Sequence, residues 1–402
     1  MAFPPHGRHA VYNAVTVIST RSRTLLVLLL CMAPIPACSV RRGPTAPLAT
    51  EGFRLEEAWS TAVADAGPIQ IASAPGGFVA ATSSGDVLFA DGATGKVAWK
   101  KSVGAALSGP LVVIGGEVGA AGPERSWAAA VTESGDVAIV PLDPAGVVAR
   151  WSLGWPGAIL TATSGGVMAL DSGGAAAFHV PGEAAARWEL RLSPLAPVPA
   201  APCGAFVLAG QADGRLVAIE PGSGRILWRK RLGSPLAAAP ACEDRFAFAA
   251  TGDNFLYALR IHRRSAGKRW RIRSGADPAA PPLPLGGTVV LLSKDTYLYA
   301  FNRRNGHLKF RIRLDRRPGS AARMEDVLLV AGSHASLLGA YRLPTGAAAG
   351  AFSLPVGGHF VSPPVVSGDH LAIAVARYGE EASTLVGLAK REGAADVSGT
   401  SP

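Results

Sequence analysis

Three sets of residues in this chain could do chemistry: a pair of cysteines, a run of alternating bases, and scattered histidines. Cys203 and Cys242 open corresponding strands of adjacent repeats, in Pro202-Cys203-Gly-Ala-Phe206 and Ala241-Cys242-Glu-Asp-Arg-Phe246, with Phe206 and Phe246 40 residues apart. In an oxidising compartment they can form a disulfide; if equivalent points of neighbouring repeats lie beyond about 7 Å, they stay as buried free thiols. The bases Arg229 and Arg231, then Arg269, Arg271 and Arg273, then Lys309, Arg311 and Arg313, alternate with Trp228, Trp270, Ile272, Phe310 and Ile312. Period two on a strand puts bases on one face and apolar residues on the other. His179, His262, His307, His334, His359 and His370 show no i, i+2 or i, i+4 pair, so no metal-ligand spacing is present. There is no G-x-S-x-G, no P-loop and no H-E-x-x-H, which removes the familiar cues for hydrolysis and nucleotide binding.

Charge is unevenly spread. The chain carries 39 Lys+Arg against 29 Asp+Glu, yet residues 225–323 alone hold 21 bases and 6 acids. The remainder of the chain after its leader is net acidic. A belt of bases on outer strands has two readings. It guards sheet edges against pairing with other chains, or it meets anionic groups, either an acidic partner surface or lipid headgroups. Specific nucleic-acid binding is not expected of an exported chain.

The compartment follows from the N-terminus. Arg8, Arg21 and Arg23 precede the apolar run Leu25–Ala33 with no acid among residues 1–23, the order of a secretory leader. Nine apolar residues are far short of the roughly 20 that cross a bilayer as a helix. The sequence Ile35-Pro36-Ala37-Cys38-Ser39 resembles the lipobox of bacterial lipoproteins, which implies lipidation at Cys38. Ser39 at the next position implies sorting to the outer membrane, and we expect the periplasmic face. The alternative is a soluble periplasmic protein with a free cysteine. Residues 1–37 are thus read as leader, 38–50 as a flexible tether, 51–391 as the folded body and 392–402 as a tail.

The folded body repeats. Trp59, Trp99, Trp151, Trp188, Trp228, Trp270, Phe310 and Phe352 are spaced 40, 52, 37, 40, 42, 40 and 42 residues apart. Each copy has an apolar strand, a Gly/Asp turn, a second strand, a Gly turn and a strand ending at the aromatic anchor. Gly85-Asp86…Gly95…Trp99, Asp213-Gly214…Gly224…Trp228 and Asp295…Gly306…Phe310 superpose as frames. Gly and Pro, together about a fifth of the residues, argue against a helix bundle and supply the tight turns. Short strands at this spacing predict four-stranded antiparallel units that must stack to bury their faces, and radial stacking gives an all-β propeller. Only three strands follow Phe352, and Phe53–Val63 has no preceding partner. The N-terminal strand is therefore expected to complete the last of eight blades, with a frayed seven-bladed ring as the alternative. The longer second interval, around Gly115–Trp127, is a surface insertion or a recognition loop.

The segment Ala90–Trp99 (ADGATGKVAW) resembles the repeat of pyrroloquinoline-quinone-type propellers. An exported lipoprotein built of this repeat and little else is similar to the BamB-like propeller lipoproteins of the outer-membrane β-barrel assembly machinery. That resemblance implies a non-catalytic scaffold with protein partners in that machinery, held to the membrane by lipid, with no cofactor and no small-molecule substrate. The alternatives are a quinone-dependent oxidoreductase or its remnant, and a ligand-sensing propeller. The oxidoreductases hold their cofactor against a vicinal Cys-Cys bridge, and no two cysteines are adjacent here. The repeat acid at Asp91 becomes Glu220 or Asn302 in other copies, which fits turn chemistry better than metal ligation.

Overall fold

The computed structural model describes residues 53–391 apart from 64–66, 116–125, 164, 333–335, 355–357, 378 and 380–381. Cys38, the tether, the tail and most of the insertion lie outside the described residues.

Among the described residues there is no helix, and the strands form eight sheets. Seven are four-stranded antiparallel meanders in chain order, here blades 1 to 7. Blade 1, for example, runs Gln70–Ala74, Gly77–Ala81, Asp86–Asp91 and Val97–Ser102. In blade 8, Gly358–Phe360 and Val365–Ser367 both pair with His370–Arg377, and Ser383–Arg391 follows. The outermost strand of that blade is Arg54–Val63, paired antiparallel from Arg54↔Arg391 to Val63↔Ser383. The two ends of the repeat region thus share one sheet, and its hydrogen bonds close the ring without leaving a free end.

Eight apolar cores settle the blade number, because each lies between two consecutive blades. Phe78, Trp59 and Ala372 belong to the core of blades 8 and 1; Phe248, Trp270 and Phe301 belong to that of blades 5 and 6. The other six seams are filled alike. A blade buries both of its faces only when it has two neighbours, so stability resides in the seams.

The aromatic anchors lock these seams by two devices. The indole N–H of Trp59 donates to Gly92 O at 3.0 Å, Trp228 to His262 O at 3.1 Å and Trp270 to Arg303 O at 2.9 Å, each reaching the second turn of the next blade. A buried indole N–H needs such an acceptor. The ring then lies flat on the turn glycine. At Gly306 (φ +77°) an added Cβ would sit 2.8 Å from Trp270 Cδ2, so this position tolerates neither the φ nor the volume of another residue.

Register corrects two of the expected anchors. In the regular blades the anchor stands opposite the fourth residue of the third strand, as Trp99 opposite Phe89 and Trp228 opposite Ala218. In blade 7 that place holds Gly350, opposite Ala340, and Phe352 lies two residues further on. In blade 2 the third strand begins one residue later, at Val137, so the counterpart of Phe89 is Ile139; it stands opposite Ala149, and Trp151 is likewise two residues late. Two residues is one strand period, so Trp151 keeps its face and still packs on blade 3, stacked on His179 with ring centroids 4.9 Å apart. Burial there holds the His179 imidazole below its usual pKa, against a backbone hydrogen bond to Ala185.

Candidate interaction surface on the outer rim

Of the bases expected to form one belt, Arg229 and Arg231 are exposed on the fourth strand of blade 4 (Ile226–Arg231), and the other six sit, all exposed, on the fourth strands of blades 5 (Ser265–Arg273) and 6 (Leu308–Arg313). They do not share one face. In blade 5, Ala258 stands opposite Trp270 and Leu259 opposite Lys268, which leaves Arg269 as the extra residue of a β-bulge. Blade 6 repeats the device: Ala300 faces Phe310, Phe301 faces Leu308, and Lys309 is the extra residue. A bulge re-aims the side chain it carries.

The six bases are therefore divided among three seams. Arg271 and Arg273 lie over the Phe255 ring, 4.9 and 5.9 Å from its centroid, on the face turned to blade 4. Arg311 lies 5.5 Å over Tyr297, on the face of blade 6 turned to blade 5, and Arg313 shares that face by strand alternation. Next to it, Tyr299 donates to Asp295 Oδ2 at 2.7 Å, and burial with that carboxylate pushes its phenol up to about 12. Lys309 turns the other way and donates to Thr288 Oγ1 at 2.6 Å. A guanidinium resting on an aromatic ring is held at the surface, where an anion can meet it.

At the end of the ring where the turns between first and second and between third and fourth strands emerge, the seam of blades 5 and 6 opens into a cavity of about 380 Å³. It is lined by Arg269 with Arg245, Arg260 and Arg304, and by Phe246 and Asp244. Arg245, Arg260 and Arg304 were not among the residues singled out from sequence. A signal for one of them exists: Arg260 occupies the repeat position of Asp91, Glu220 and Asn302. At those other copies the side chain serves its own turn. Asp91 Oδ1 accepts from the Thr94 N–H at 2.9 Å and its hydroxyl at 2.7 Å, which lowers its pKa. Asn302 Oδ1 accepts the Arg304 N–H at 2.9 Å. No group of three or more His, Cys, Asp or Glu converges as a metal site among the described residues.

Cys203 and Cys242 come together on the inner strands of blades 4 and 5, with Cα atoms 5.5 Å apart and the sulfurs joined. That separation is inside the bridging range. Inner strands of a propeller converge toward the axis, which is why equivalent points of neighbouring blades are close there and far apart at the rim.

Fold and rim together define a repeat propeller whose polar chemistry is displayed on turns and outer strands. The family model described as outer membrane protein assembly factor BamB matches residues 55–189, 181–265 and 212–349, and the chain belongs to this family. A curated relative, outer membrane protein assembly factor BamB of Bordetella pertussis, is 31% identical over 119 residues, which is 29% of this chain and 29% of that protein. The crystal structure of BamB from Moraxella catarrhalis superposes with a TM-score of 0.64 at 17% identity, covering 83% of this chain and 99% of that one. A computationally designed protein, Ika8, superposes with a TM-score of 0.65 at 11% identity, covering 82% and 99%. At these identities the two structures speak for the fold alone.

Proposed function

We propose that this chain is a non-catalytic scaffold in outer-membrane protein assembly, tethered by lipid at Cys38 to the periplasmic face of the outer membrane. In this reading residues 1–37 are removed on export, 38–50 span from lipid to ring, and the propeller binds protein partners of the β-barrel assembly machinery. The observation that carries it is the family match, which extends across residues 55–349. The physical arrangement supports it. Eight packed seams hold the blades together, and exposed bases stand on the outer strands of blades 5 and 6. Opposite charge on a partner would steer docking and set its register.

Crosslinking in native envelopes, followed by mass spectrometry of what is captured with the chain, tests this. Capture of the barrel-assembly core, weakened when Arg269, Arg271, Arg311 and Arg313 are all exchanged for Gln, is the expected result. No reproducible protein partner would overturn the scaffold reading. Undiminished capture by the four-fold variant would reduce those bases to guards of the sheet edge.

A further inference from the structure

The cavity between blades 5 and 6 has an electrostatic composition found nowhere else among the described cavities. Four chain segments each bring one arginine to it: Arg245 from the turn between the first and second strands of blade 5, Arg260 from the end of its third strand, Arg269 from the bulge, and Arg304 from the turn between the third and fourth strands of blade 6; Phe246 and Asp244 complete the lining. The acids nearby are already engaged. Arg303 Nη1 donates to Glu243 Oε2 at 2.5 Å and to Asp244 Oδ2 at 2.8 Å, while Glu243 Oε1 accepts the Gly286 N–H at 2.9 Å. Among the described residues none of the four lining guanidiniums has a hydrogen-bond or ion-pair partner. Their mutual repulsion is relieved by an anion.

The walls are held in place without the ligand. Arg303 is fixed through its backbone, whose carbonyl accepts from Trp270 and whose N–H donates to Gly287 O at 3.1 Å. Its guanidinium lies 5.3 Å over the Phe246 ring at the cavity floor. The Arg304 N–H is held by Asn302, and Arg245 O accepts the Ile261 N–H at 2.8 Å. Backbone positions are therefore set, and what remains to order is side-chain rotamers.

We propose that this cavity is a binding site for a phosphate group, carried either by a free phosphorylated solute or by a lipid headgroup. The geometry distinguishes phosphate from carboxylate. A carboxylate offers two oxygens in one plane and satisfies one guanidinium fork; a terminal phosphate offers three oxygens on a tetrahedral centre and accepts forks from several sides. Convergence from four separate segments matches the second. The site goes beyond the scaffold reading and stands independently of it.

Titration calorimetry on the purified full-length chain tests the proposal with four probes: inorganic phosphate, glycerol 3-phosphate, a short-chain phosphatidic acid and acetate. The test variant is Arg260→Gln with Arg304→Gln. The control, Arg316→Gln with Arg317→Gln, removes equal charge from the connection between blades 6 and 7. Neither pair includes a base exchanged in the capture experiment above, so the two readings fail separately. The three phosphates should bind wild type and control, acetate should not, and the test variant should lose at least about tenfold in affinity. Absence of phosphate binding, equal binding of acetate, or equal loss in both variants overturns the site; thermal unfolding shows that each variant is folded. Tighter binding of phosphatidic acid than of glycerol 3-phosphate by tenfold or more assigns the source to lipid. Equal binding assigns it to a solute.

Discussion

At the seam of blades 3 and 4, Trp188 donates its indole N–H to Pro221 O and lies on Gly224. At the seam of blades 5 and 6, Trp270 donates to Arg303 O and lies on Gly306. Both seams open at the turn end of the ring into cavities of similar size, about 450 and 380 Å³. The first is lined by Phe178, Pro202, Phe206, Pro221 and glycines, with a single guanidinium, Arg187. That one is clasped by Glu183, with Nε 2.9 Å from Oε1. The second is lined by four arginines that no acid clasps, together with Phe246 and with Asp244, whose carboxylate is taken by Arg303. The backbone frame is the same, and so is the lock. What differs is the residue placed at each turn position, because the frame constrains glycines and ring-facing residues while leaving outward turn positions open to any chemistry.

Breaking the lock should separate the seams most sharply. Trp270 is buried, at 9% exposure, whereas Trp188 is half-buried. Trp270→Ala is expected to lose about 3–5 kcal/mol in denaturant titration, the usual cost of emptying a buried aromatic site. Trp188→Ala should lose less, since part of its ring already meets water. Equal losses would mean that the hydrogen bond, which both share, outweighs burial.

The bridge between the two regions comes next in size. Cys203 stands beside Pro202 and Gly204 of the cavity at blades 3 and 4, and Cys242 is two residues from Asp244 of that at blades 5 and 6. Exchanging both cysteines for Ser should lower stability by about 2–4 kcal/mol, with reductant producing the same change in wild type and none in the variant. Thiols that titrate freely in the native, unreduced protein would show that the bridge is not formed in the purified chain.

A smaller effect concerns Arg187 and sharpens the contrast in charge. Its hydrogen bonds hold Glu183 below the usual glutamate pKa. A carboxyl whose folded pKa is depressed contributes stability above its unfolded pKa and loses it as pH falls through the folded value. A carboxyl-carbon NMR titration should place the Glu183 midpoint below the ordinary glutamate range, and Arg187→Gln should return it there. Acid then frees Arg187 and moves the cavity at blades 3 and 4 a step toward that at blades 5 and 6. An unshifted midpoint would show that Arg187 is not held in solution.

Much of the architecture was legible because it is local. Asp86, Gly95, Gly224 and Gly306 announce hairpins through their own backbone preferences, and aromatic anchors about 42 residues apart betray units that cannot bury their faces alone. The closing role of Phe53–Val63 followed from counting strands after Phe352. The anchors in blades 2 and 7 were misplaced by two residues because alternation preserves a side chain's face under that shift, so hydropathy cannot detect it. The split of Arg269 and Lys309 from their neighbours was hidden for a related reason: a bulge interrupts period two without a residue type that marks it.

By itself, then, the sequence determined the repeating blade, its turns, the closing strand and the concentration of bases between residues 225 and 323. Tertiary structure alone decided which of those bases meet. Arg245, Arg260, Arg269 and Arg304 are up to 59 residues apart and belong to two blades, and only the packing of one sheet against the next carries them to a common cavity. The same holds for Cys203 and Cys242, whose 5.5 Å approach depends on inner strands converging on the axis of the ring. Local rules act within a hairpin, whereas these distances are set by how whole sheets stack.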